Sequence, residues 1–138
     1  MSLELWIDGQ RVGTERHCRV VLPLDLCPPS NRTRHTQRWQ HAAEKEALWK
    51  AMASQVLPRR AALVGRPIVH CVRHSSVQPD RWSDWAKRPV DMLCCPRGRA
   101  RTHRLGYLVD DSPKHAEVVQ EWVYAPPGDG RVVIEVWT

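Results

Sequence analysis

Runs of β-branched and apolar residues alternate along this chain with polar, proline-punctuated stretches. Residues 18–24 (CRVVLPL) read as a strand, and Pro28-Pro29 must break it, so a strand feeds a rigid loop. Residues 37–57 contain no Gly or Pro and are rich in Ala, Glu, Lys and Gln. They place Trp39, Ala43, Trp49, Met52, Ala53 and Val56 near helical spacing, which predicts the main helix, with Thr36 as its N-cap and Pro58 as its stop. After Pro67, residues 68–72 (IVHCV) predict a second strand. Residues 82–106 are interrupted by Pro89, Pro96 and Gly98, which excludes one long helix there. Residues 116–124 (AEVVQEWVY) and 131–137 (RVVIEVW) cluster β-branched residues around a turn-rich APPGDG, and predict an antiparallel hairpin. Strand, helix, strand, irregular helical segment and hairpin together predict one compact α+β domain, a mixed or mostly antiparallel sheet packed with helices.

Length and composition narrow this further. At 138 residues and 15.9 kDa the chain is one domain, long enough to bury roughly two-thirds of its unfolded surface without a disulfide or metal staple. Seven Trp, no Phe and two Tyr make an unusual aromatic set, but a core can use Trp as its large residue. No run approaches the roughly 18–20 apolar residues of a membrane helix. The opening MSLELWIDGQRVGTE, with Glu4 and no apolar centre, lacks the pattern of a signal peptide, so a cytoplasmic protein is expected. Cys18, Cys27, Cys71, Cys94 and Cys95 are odd in number and irregularly spaced, as for reduced thiols.

Charge changes the picture more. The formal net charge is +6, and basic residues thicken at 32–38 (RTRHTQR), 59–66 (RRAALVGR) and 97–104 (RGRARTHR). A solvated face explains any one such run; three on a small basic domain favour a polyanion, nucleic acid first, because each neutralised phosphate releases condensed counterions. Arg32, Arg34, Arg88, Arg97, Arg99, Arg101 and Arg104 are the candidate contacts.

Candidate chemistry lies in Asp91 and the later Asp110-Asp111 pair. Carboxylates from separate elements that converge on one point suit magnesium, which prefers hard oxygen ligands. A metal held there lowers the pKa of bound water and offsets charge on a phosphodiester. The bland alternative is that Asp110, Asp111, Ser112 and Pro113 form a solvated turn. Cys94-Cys95 with His103, or His70-Cys71 with His74, lacks the CxxC knuckle of a structural zinc site, and no local signature marks a cysteine nucleophile.

Leu22-Pro23-Leu24 followed by Cys27-Pro28-Pro29-Ser30-Asn31-Arg32 resembles the N-terminal strand and Pro-Pro-Ser-Asn loop of the RusA-like Holliday junction resolvases. A helix, a strand, the stretch Lys87-Arg88-Pro89-Val90-Asp91, then Leu105-Gly106-Tyr107-Leu108-Val109-Asp110-Asp111 and a final hairpin follow in that family's order. The resemblance covers residues 20–138 and leaves 1–19 as an N-terminal extension.

The resemblance implies a homodimeric, magnesium-dependent crossover junction endodeoxyribonuclease of DNA recombination and repair, encoded by bacteria, phages or prophages, that acts on four-way junctions and other branched DNA. It implies Asp91, Asp110 and Asp111 as metal-binding residues, with Asp91, Asp111 and Arg97 as the catalytic set. The family's Asp-x-Asp-Asn-x-x-Lys stretch is altered here. If Asp91 matches its first Asp, Leu93 and Cys94 replace the second Asp and the Asn, and Arg97 falls near the Lys; if it matches the second, Pro89 and Cys95 replace the first Asp and the Lys. A branched-DNA-binding protein that no longer cuts is therefore the alternative expectation. A dimer is further expected from the last strand, whose apolar edge a second copy would bury.

Overall fold

The structure, a computed structural model, describes residues 4–28, 38–99 and 101–138. Among the described residues six strands and two α-helices form one α+β domain, with strands β1 (Leu5–Ile7), β2 (Gln10–Gly13) and β3 (Arg16–Leu22), helix α1 (Arg38–Ala53), strand β4 (Ile68–Ser75), helix α2 (Lys87–Leu93), and strands β5 (Glu117–Tyr124) and β6 (Arg131–Trp137). β1 and β2 make a small antiparallel hairpin, and the other four make a mixed sheet in the order β3-β6-β4-β5. The expected boundary after residue 19 falls inside β3. Thr36 and the Pro29-Ser30-Asn31 loop lie outside the described residues.

Each strand takes its place from which faces it can bury. β6 is apolar on both faces, with Val132, Val133, Ile134, Val136 and Trp137 buried, and lies between β3 and β4, antiparallel to both. β5 interrupts its apolar residues with Glu117, Gln120 and Glu121, has no buried position, and forms an edge parallel to β4. The expected hairpin of residues 116–124 with 131–137 therefore does not form. Residues 125–130 instead carry the chain past β4, held by Ala125 N–H donating to the Ser75 carbonyl at 3.1 Å. The last strand is also not the exposed edge on which the dimer expectation rested, since Val133, Val136 and Trp137 fill the monomer's own core.

One sheet face carries the main core. Cys18, Val20 and Leu22 from β3, Val69 and Cys71 from β4 and Ile134 from β6 meet Leu48 and Met52 of α1 and Val90 and Leu93 of α2. Alternation puts Ile68 and Trp137 on the other face, where Leu5 of the β1-β2 hairpin covers them. At the edge of β3, the Gln55 side chain imitates a neighbouring strand: its Oε1 accepts from Val21 N–H at 2.7 Å and its Nε2 donates to the Val21 carbonyl at 2.8 Å.

The segment between α2 and β5 contains little regular structure but is tightly pinned. Leu105 and Tyr107 N–H donate to the Met92 and Leu93 carbonyls at 2.7 and 2.8 Å, and Cys95 N–H donates to Leu108 O at 2.8 Å. Gly106 allows this return: its φ is +80°, and a Cβ there would lie 2.4 Å from the Arg59 carbonyl oxygen. Residues 105–108 are thereby laid along the end of α2, which brings Asp111 to the Lys87 ammonium that Asp91 also binds.

Candidate functional site

Helix α2 is short, and its start is held from the sheet. Gln120 of β5 accepts from Ala86 N–H at 3.1 Å through Oε1 and donates to the Ser83 carbonyl at 2.9 Å through Nε2. Pro89 sits in the first turn, where its missing N–H costs no helical bond. Lys87 and Asp91, one turn apart, share a face: Lys87 Nζ donates to Asp91 Oδ1 at 3.0 Å. The same ammonium donates to Asp111 Oδ2 at 2.5 Å. Two carboxylates from distant parts of the chain thus converge on one cation.

Their electrostatics differ. Burial pushes the Asp91 carboxyl above the usual range, more than the hydrogen bond and charge of Lys87 pull it down. For Asp111 the Lys87 hydrogen bond outweighs burial and holds the carboxyl below that range. Burial works against the Lys87 charge, yet hydrogen bonds to Asp111 and Asp91 and their negative charge prevail and raise its pKa.

Asp110 faces elsewhere. Its Oδ1 accepts from Ser112 N–H at 2.8 Å, closing a local turn, and its Oδ2 accepts from Arg97 at 3.0 Å, with His115 Nε2 4.0 Å away. The bonds from Ser112 hold it below the usual carboxylate range.

A cleft of about 450 Å³ gathers Asp91, Asp110, Asp111, Arg97, Arg99 and Arg104 in its wall. Arg104 also donates to the Asp91 carbonyl at 2.8 Å, so it braces the last turn of α2. Arg88 lies on another side of the helix, paired with Glu44 at 2.8 Å, and lines a smaller cleft of about 160 Å³ that reaches Asp91 and Arg104 from α1. Arg101 is exposed outside these clefts and donates to the Gly98 carbonyl at 3.0 Å. Arg32 and Arg34 lie outside the described residues. The residue that sequence reasoning left without a role is Lys87; its signal was the four-residue spacing to Asp91.

The donor set decides which metals suit this place. Among the described residues no group of three or more His, Cys, Asp and Glu converges as metal ligands. Burial pushes the neighbouring Cys94 thiol up to about 12. What converges is two hard carboxylates, Asp91 and Asp111. Magnesium commonly takes one or two carboxylates and completes its shell with water and phosphate, and an ion between these two would take the place of the Lys87 ammonium.

No protein-family model, curated protein or solved structure matches this chain. Among the described residues no helix is long and apolar enough to cross a membrane.

Proposed function

We propose that this protein is a magnesium-dependent, structure-specific endodeoxyribonuclease acting on four-way junctions or other branched DNA. One observation carries the reading: Asp91 and Asp111 meet at the Lys87 ammonium beside a cleft whose wall also holds Arg97, Arg99 and Arg104. A phosphodiester needs these elements together: cations to neutralise its charge as attack proceeds and hard oxygens to hold a divalent ion. Asp91 and Asp111 are the residues that would hold magnesium, which when bound would activate water and offset charge on the phosphate. Lys87 contributes a compact charge next to that phosphate, and Arg97 and Arg99 contribute to backbone neutralisation. Asp110 orients Arg97. Symmetrical resolution of a four-way junction needs two opposed cuts, so the active species in this proposal is a homodimer.

A second reading has its own support. Lys87 already pairs with Asp91 and Asp111, and Arg97, Arg99 and Arg104 match the three aspartates of the cleft wall in number, so the cleft can meet DNA without a metal and without cutting. A labelled four-way junction incubated with magnesium, beside binding assays in calcium and in chelator, separates the two. Nicked product only with magnesium supports the nuclease. Binding without product leaves the DNA-binding protein, and absence of both overturns the two readings together.

A further inference from the structure

A cleft of about 870 Å³ lies apart from the carboxylate pair at the end of β4, between Ser75 and the segment leading into α2. Trp82 in its wall is 85% exposed, a large apolar ring left in water. One side of that indole faces the Arg81 guanidinium, 5.1 Å from the ring centroid. Arg73 reaches the same cleft half-buried, donating to the Cys27 carbonyl at 3.1 Å and lying 5.7 Å from the Trp85 centroid, with no carboxylate partner among the described residues. Ser83, also in the wall, carries the one buried side-chain polar atom without a hydrogen-bond partner among the described residues. An exposed indole and an arginine that makes no direct carboxylate contact among the described residues lie at one cavity.

The chemistry of the wall selects the ligand. The wall holds Asp80 and Asp84 as well as Arg73 and Arg81, so the cleft is not the cationic basin that a lone phosphate requires. Guanidinium donors and a flat aromatic surface instead match a neutral planar heterocycle with acceptors on its edge, which describes a nucleobase. Asp84 lines this cleft and also a neighbouring one of about 330 Å³ that contains Lys87 and Asp111. We propose that the cleft receives an unpaired base stacked on Trp82, with Arg81 and Arg73 at its edge. This rests on the nucleic-acid reading above and deepens it: the favoured substrate is branched DNA with an unpaired nucleotide at the branch.

The test uses the full chain in calcium and fluorescence anisotropy with two labelled four-way junctions, one fully paired and one carrying unpaired thymines at the branch, plus a short oligothymidylate. Base–aromatic stacking is worth about 1–3 kcal/mol per base, so the unpaired junction should bind roughly 5- to 150-fold more tightly. Trp82→Ala should bring that ratio to one, and Trp82→Phe should retain most of it. Equal affinity of the unaltered protein for both junctions, or an unchanged ratio in Trp82→Ala, overturns the proposal while the branched-DNA reading stands. Trp82-dependent oligothymidylate binding without binding of either junction supports the base site and overturns the branched-DNA reading instead.

Discussion

Lys87 Nζ lies 2.5 Å from Asp111 Oδ2 although 24 residues separate them along the chain. With the 3.0 Å contact to Asp91, this makes Lys87 the shared counter-ion of two carboxylates that would otherwise repel each other. Lys87→Met should therefore lower stability in urea unfolding by about 1 kcal/mol or less, the ammonium being half exposed and screened. In the double variant Lys87→Met, Asp91→Asn much of that loss should return, because one of the two like charges is gone. A double variant less stable than Lys87→Met would mean that Lys87 does not act through the carboxylate pair.

The two carboxylates should respond to neutralisation with opposite signs. Asp111 is held below its usual range, so its charge stabilises the fold above the unfolded-state pKa, and this contribution disappears as pH falls through the lower folded value. Asp91 is raised by burial, so its ionisation works against the fold above the folded pKa, and the penalty is relieved as pH falls through it. At pH 7 Asp111→Asn should destabilise and Asp91→Asn should be neutral or stabilising, with both differences shrinking toward acid. Thermal unfolding from pH 7 to pH 3 measures this; equal signs at pH 7 would contradict the arrangement.

If the carboxylate pair holds the catalytic ion, Asp91→Asn should abolish magnesium-dependent cutting of a four-way junction. Binding in calcium-free buffer should be kept or strengthened, since a negative charge near phosphate is lost. Cutting at the original rate would remove Asp91 from the mechanism.

The arginines separate by position. Arg97 and Arg99 line the 450 Å³ cleft and Arg101 does not. Each lost phosphate contact should reduce the slope of log affinity against log salt by about 0.9 on duplex DNA, so Arg97→Ala with Arg99→Ala should lower it by up to roughly two. Arg101→Ala should leave it unchanged. A slope that responds to Arg101 alone would shift the DNA surface off the cleft.

Gly106 tests the scaffold beneath the site. Its φ of +80° and the 2.4 Å approach of the Arg59 oxygen to a built Cβ leave no room for a side chain. Gly106→Ala should cost about 1–3 kcal/mol in urea unfolding. It should also impair junction binding, since residues 105–108 carry Asp111 to its place. An Ala variant of unchanged stability would show that the loop can relax.

Local pattern in the sequence was enough for the strands around residues 18–24, 68–72, 116–124 and 131–137 and for the long helix. In each, β-branched runs or helix-forming residues with the right period decide backbone conformation within a few residues of themselves. The α+β class, the basic charge and the candidacy of Asp91, Asp110 and Asp111 were legible for the same reason, since they need only residue identity and order. Strand order was not, because an apolar strand shows that its faces will be buried without showing what lies beside it. β6 went to the middle and β5 to the edge once both faces of each strand competed for cover. The division of labour between Asp110 and Asp111 was equally hidden. Neighbours in sequence, one turns to Ser112 and Arg97 and the other to Lys87, according to how the Gly106 return lays that segment against α2. Residue type alone determined that carboxylates and cations were present; only the long-range path of the chain, set by core packing and backbone hydrogen bonds, decided which of them meet.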